Sequence, residues 1–176
     1  MKRSQLKRKP TWKKLRRGSA RLKKTKLATY SKSIIRKLEK KLWRLLSDYI
    51  RQRDKWTCIT CGKTEWGRKM HAGHLISRKR KNTLFDPKNI HAQCSWCNLF
   101  KYGDTANYSQ KFIVLYGLDE FNNLLERARK DRQWTEKELL FLISVLKEGK
   151  NYEEVYKTYE STATSPKKNR DSGIAK

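Results

Sequence analysis

All four cysteines of this chain fall in two Cys-x-x-Cys pairs, Cys58/Cys61 and Cys94/Cys97. Two thiolate pairs at that spacing can close a tetrahedron around one zinc ion. Such a clamp ties two distant segments into one small unit before any other packing is considered. The chain needs one. Apolar residues make up 36% of it and charged residues 35%, which leaves a modest core, and a small core is stabilised by a bound metal. The basic N-terminus is not followed by an apolar stretch, so no secretory leader is expected. A reducing, cytoplasmic setting then favours Zn²⁺ over disulfides for paired cysteines.

Lys and Arg number 44 against 17 acidic residues, a formal net charge of +27. An excess of that size predicts a polyanionic partner, and nucleic acid fits best. No membrane partner is expected, since the sequence has neither a lipid-anchor pattern nor an apolar span. Residues 1–30 hold thirteen Lys or Arg and no acid. They read as a disordered basic arm that grips phosphates without sequence preference or, more plainly, solubilises the chain. Residues 31–160 form the expected folded domain, and residues 161–176 a disordered tail. There is no internal repeat.

Within the domain, Ile35, Leu38, Leu42, Leu45, Leu46 and Tyr49 recur at three and four and predict a helix over 32–54. Its basic residues, Arg36, Lys37, Lys40, Lys41 and Arg44, lie largely on other faces, either as a phosphate-binding surface or as plain solvated helix. Residues 55–64 suit a zinc knuckle, with Gly62 relieving the backbone after the second cysteine. Short strands are expected over 68–76 and 89–93, separated by a polar loop. A second knuckle should run into a helix near 95–102. Helices then follow over 107–116, 119–131, 135–148 and 151–159, the third opening on a Thr135/Glu138 capping box. The fold class is α+β and mostly helical.

All three histidines lie between the two cysteine pairs, with Asn98 directly after Cys97. Phosphodiester hydrolysis calls for a base, a divalent cation and groups that hold both in line. His74, on the first strand, is the candidate base, because a neutral imidazole accepts protons near pH 7. Asn89 opens the second strand, where its amide can hold the adjacent loop or orient the imidazole. Asn98 offers a carbonyl oxygen to a hard cation, Mg²⁺ or Mn²⁺. Lys101, one turn later, can meet a phosphate. His91 shares strand parity with Asn89 and could face the active site, the DNA or solvent. Arg78 and Arg80, in the loop with Lys79 and Lys81, suit a phosphate clamp.

This order resembles the zinc-stapled form of the HNH endonuclease superfamily. Leu42-Trp43, Arg53-Asp54, Cys-Ile-Thr-Cys-Gly, Ala-Gly-His, Asn-Ile-His-Ala-Gln-Cys and Cys-Asn together resemble the bacteriophage NinG/Rap recombination proteins, over roughly residues 40–148. The resemblance implies a ββα-metal finger with a structural zinc on the four cysteines, flanked by an N-terminal helix and C-terminal helices. It implies a metal-dependent endonuclease acting on branched DNA such as Holliday junctions and D-loops, in the host cell cytoplasm if phage-encoded. A homodimer would suit symmetric cleavage, though no dimer motif is visible. The sequence departs from the wider pattern at Gly73, where many HNH enzymes carry Asp or His as a metal ligand. Either His71 replaces a carboxylate ligand, or the cation binds through Asn98, water and phosphate. Strand alternation sets residues 71 and 74 on opposite faces unless a bulge intervenes. The rival is a non-catalytic zinc module binding branched or single-stranded DNA. A sequence-specific nuclease of mobile elements would need a base-reading module, and none is evident.

Overall fold

The computed structural model describes the backbone of residues 12–163 and the side chains of residues 29–161. Helix α1 spans Trp12–Arg53, strand β1 Met70–His74 and strand β2 Ile90–Cys94. A π-helical turn over Trp96–Phe100 leads into α2 (Thr105–Tyr116), α3 (Leu118–Arg129), α4 (Glu136–Lys147) and α5 (Tyr152–Ala163). The expected α+β, mostly helical class is what is observed, with a single antiparallel strand pair among the described residues.

The N-terminus differs from expectation. Helix α1 begins at Trp12, not near residue 32, so residues 12–30 are helical rather than disordered. No proline follows Pro10 in this stretch, and it is rich in Lys, Arg, Leu and Ala, which favour helix. The rest of the arm, residues 1–11, and most of the expected tail, residues 164–176, lie outside the described residues.

The predicted stripe of α1 is buried. Leu42, Leu46 and Ile50 are fully covered, with Ile35, Leu38, Leu45 and Tyr49 packed at the margin. They meet Leu139, Leu142 and Val145 of α4, Tyr152 and Tyr156 of α5, and Phe85 and Trp134 from the connections. The capping box of α4 forms as the sequence indicates, Thr135 and Glu138 each accepting from the other's backbone N–H.

The end of α1 is fastened to β2 by an adjacent charged pair. Arg53 donates to the carbonyls of Pro87 (2.9 Å) and Ile90 (2.8 Å) and to Asp54 and Glu153. Asp54 accepts the Ala92 backbone N–H at 2.7 Å. These bonds carry the strand pair on the helix and so set where its residues point.

The strands pair without a bulge, from Met70 opposite Cys94 to His74 opposite Ile90. His71, Gly73, His91 and Gln93 therefore share one face, and Met70, Ala72, His74, Ile90, Ala92 and Cys94 the other. The second face lies on α1. The first is covered by the segment after Cys94 and by α2.

Candidate active site and metal centre

The four cysteine Sγ atoms lie within 4.8 Å of one another and could hold a zinc ion. The knuckle is a tight loop: Gly62 N–H donates to the Cys58 carbonyl (2.8 Å), and Cys58 N–H to the Lys63 carbonyl (2.9 Å). Gly62 sits at φ +74, a region costly for residues with a Cβ. Ile59 N–H donates to the Ala92 carbonyl at 2.9 Å, which joins the knuckle to β2. Around the thiols the core is only Met70, Ala92 and a half-buried Trp56. Four convergent thiols in so thin a core suit a structural metal.

His74 ends β1. Its ring stacks on Trp43 of α1, centroids 4.8 Å apart, and its Nε2 lies 3.0 Å from the Leu84 carbonyl oxygen. A carbonyl only accepts, so Nε2 carries the proton and Nδ1 keeps a free lone pair. Burial, reinforced by the nearby positive Arg78, pushes the imidazole pKa down to about 4. His74 is thus neutral near pH 7 and oriented with one nitrogen ready to take a proton.

Beside it lies an open cleft of about 290 Å³ lined by Arg36, Lys40, Trp43, Arg78, Lys81 and Leu84, among others. The Arg78 guanidinium sits 4.4 Å from the Trp43 ring centroid. The cleft borders Trp43 and Leu84, the two partners of the imidazole; Glu39 also lines it and pairs with Lys81 at 2.8 Å, so Arg36, Lys40 and Arg78 set its positive charge. Arg80 is exposed on the same loop, and Lys101 pairs with Asp104 at 3.6 Å. Trp43 had no assigned part beyond the motif it belongs to. Its contact with a residue thirty-one positions on left no local signal in the sequence.

Asn89 is fully buried. Its Oδ1 accepts the Ile76 N–H (2.7 Å), and its Nδ2 donates to the carbonyls of Ile76 (3.1 Å) and Thr83 (2.9 Å). Among the alternatives the sequence left open, it takes the loop-holding one. Asn89 is thus a positioning residue: it fixes the loop segment that presents the Leu84 carbonyl to His74.

The expectation for His91 is corrected. It is 3% exposed, with Nδ1 3.0 Å from the Tyr108 hydroxyl and Nε2 2.9 Å from that of Tyr116. Tyr108 in turn donates to the Gly73 carbonyl. Burial first, then the positive Arg53, depresses its pKa well below the ordinary value. A neutral imidazole with both nitrogens occupied bolts α2 to the strands and meets neither DNA nor solvent.

His71 and Asn98 meet, with Asn98 Nδ2 3.0 Å from His71 Nδ1. Strand parity puts His71 and His74 on opposite faces, as expected without a bulge. In this pairing His71 Nδ1 is the acceptor and Asn98 Oδ1 is left free. The side chains fit a hard cation at Asn98, with His71 orienting that amide rather than serving as a ligand through Nδ1.

The profile of the family described as "Bacteriophage Lambda NinG protein" matches residues 1–154. The chain belongs to the NinG family. It is 35% identical over 92 residues to Protein ninG of Salmonella phage P22, covering 51% of this chain and 44% of that one. Against Protein ninG of Escherichia phage lambda it is 33% identical over 89 residues, 49% of this chain and 43% of that one. This NinG-family chain thus spans under half the length of the curated NinG proteins it matches. It is also 33% identical over 64 residues to the "Probable HNH endonuclease" of Lactococcus phage SK1, covering 34% of this chain and 67% of that protein. No solved structure matches. None of the helices among the described residues is long and apolar enough to cross a membrane.

Proposed function

We propose that this NinG-family protein is a metal-dependent DNA endonuclease acting on branched recombination intermediates of the Holliday-junction or D-loop type. The observation that carries the reading is His74: proton on Nε2, lone pair on Nδ1, pKa held down to about 4, and four basic side chains at the adjoining cleft. An unprotonated imidazole with one free nitrogen beside basic side chains can accept a proton next to a phosphate backbone, and its pKa of about 4 makes it a weaker base than an ordinary histidine. The similarity to a protein named "Probable HNH endonuclease" supports it.

In this reading Nδ1 of His74 takes a proton from the attacking water. The Leu84 carbonyl holds the ring in the tautomer that can do so, and Trp43 fixes its plane. Arg36, Lys40 and Arg78 bind the phosphates on either side, giving affinity without base readout. A divalent cation, Mg²⁺ or Mn²⁺ near Asn98, would supply charge neutralisation for the departing oxygen; Asn98 meets His71 on the strand face opposite His74, so the scissile phosphate would have to lie across the edge of the strand pair to reach both. Zinc on the four cysteines would hold the knuckles together and take no part in the chemistry. The exposed, stacked pair Trp96 and Phe100 offers ring faces on which unpaired bases could lie.

The second reading is a zinc module that binds branched DNA without cutting it, favoured by Gly73, which brings no side-chain ligand to the place before the base. One experiment separates the two. A labelled four-way junction and a linear duplex of the same sequence are incubated with protein, with and without Mg²⁺, beside a His74→Ala variant. Metal-dependent cutting that prefers the junction and is lost in the variant is expected. Tight junction binding without cutting in Mg²⁺ or Mn²⁺ would refute the enzyme. Symmetric cutting also calls for two copies, which sedimentation on the junction would count.

A further inference from the structure

Gln93 was not among the residues to which the sequence pointed. It is fully buried, and its Nε2 donates to Thr60 Oγ1 and to the Gly103 carbonyl, both at 2.7 Å. The Gly103 carbonyl can only accept, so the amide cannot be turned round. Its Oε1 must point the other way, and there it has no hydrogen-bond partner. Among the described residues this is one of two buried side-chain polar atoms left so; the other is Arg51 Nε, on a guanidinium that is otherwise engaged. A buried amide oxygen without a donor is costly and calls for a reason.

Its direction supplies one. A Cβ built on Gly73 would lie 2.0 Å from Gln93 Oε1 and 2.8 Å from Cδ. The Gln93 carbonyl therefore stands where a side chain at position 73 would begin. Gln93 is the cross-strand partner of His71, so both side chains rise from the same face, the face on which His71 meets Asn98. An orphaned hard oxygen donor on the face that also carries the His71–Asn98 pair has the chemistry a small divalent cation takes.

The geometry points to Gln93 Oε1 as a second protein oxygen on the divalent cation, standing in for the side chain that Gly73 lacks. His71 holds the Asn98 amide, and glycine at 73 is required because any Cβ would fill the space the Gln93 carbonyl occupies. This rests on the cation assumed in the proposed function, and goes beyond it in naming the donor set.

The test is Mn²⁺ binding, not cleavage. Zinc-loaded full-length protein is titrated with Mn²⁺, free ion is followed by electron paramagnetic resonance, and zinc content and thermal melting are recorded on the same samples. Wild type should bind one Mn²⁺, and Gln93→Ala should bind it roughly 10–100-fold more weakly. The double variant Gly73→Asp/Gln93→Ala puts a carboxylate into the vacated slot and should regain wild-type affinity or better. A structural amide predicts no such rescue. Should Gln93→Ala alone fail to fold, the double variant carries the test, with weak binding by a folded double variant overturning the inference. Wild-type affinity in folded Gln93→Ala would overturn the role of Gln93 and leave the nuclease reading standing. Absence of any Mn²⁺ binding by wild type would overturn both.

Discussion

Replacing Asn89 by alanine removes a fully buried side chain that makes three hydrogen bonds to backbone. The Ile76 N–H and the carbonyls of Ile76 and Thr83 lose their partner, the Thr83 carbonyl in a place water does not reach. At about 1 kcal/mol per net bond, the loss is about 3 kcal/mol, before any term for the cavity left behind. Domains of this size are stable by about 5–15 kcal/mol, so the variant should still fold. Its melting temperature should fall by roughly 6–12 °C. Thermal and urea unfolding of the zinc-loaded protein measure this directly. Asn89→Asp keeps an acceptor for Ile76 N–H but aims a charge at two carbonyls, so it should lose at least as much. Because Thr83 precedes the Leu84 carbonyl that orients His74, any cleavage should fall with the loosened loop while DNA affinity holds. A loss under about 1 kcal/mol for Asn89→Ala would refute the claim that this amide holds the loop.

Four further outcomes follow from the structure. The His74 pKa of about 4 lies below the ordinary 6.5, so the unfolded chain takes up that proton first as pH falls. The contribution of His74 to stability should be complete above about pH 6.5 and lost toward pH 4, and the acid limb of any pH–rate profile should sit nearer 4 than 6.5; a limb at 6.5 would refute the burial argument. Gly73→Ala should destabilise by about 1–3 kcal/mol through overlap with Gln93, which is buried and tethered and cannot swing clear, and Gln93→Ala should relieve it; unfolding of both variants checks this. Cys58→Ser or a strong chelator should abolish stoichiometric zinc and the cooperative melt of the knuckle, read by metal analysis and circular dichroism. Arg36→Ala and Arg78→Ala should each weaken DNA binding on every sequence alike and lower the salt slope by about 1, as salt titrations of a labelled duplex would record.

Much of the fold could be read along the chain because its signals are local. The 3.6-residue stripe of α1, the Thr135/Glu138 cap and the Cys-x-x-Cys turns depend on neighbours within a few positions, and each appears where its pattern lies. The start of α1 departs from expectation because repulsion among thirteen cations suggests disorder, whereas the stretch carries no proline after Pro10.

The candidate site divides along the same line. Sequence by itself pointed to the four cysteines that cluster and to His74 and Asn98 as candidates, since those depend on residue type and spacing. Tertiary structure decided what each polar side chain faces. His91 and Asn89 were both candidates by residue type and position, yet one is capped by two tyrosines from α2 and the other by loop backbone. Trp43 reaches His74 because α1 is packed on the strands by the core and fastened to β2 by Arg53 and Asp54. Gln93 acquires meaning only once Gly73 is seen to leave it room. A hydrogen bond or a contact across tens of residues leaves no periodicity in the sequence, because it is a property of two surfaces brought together and not of either one.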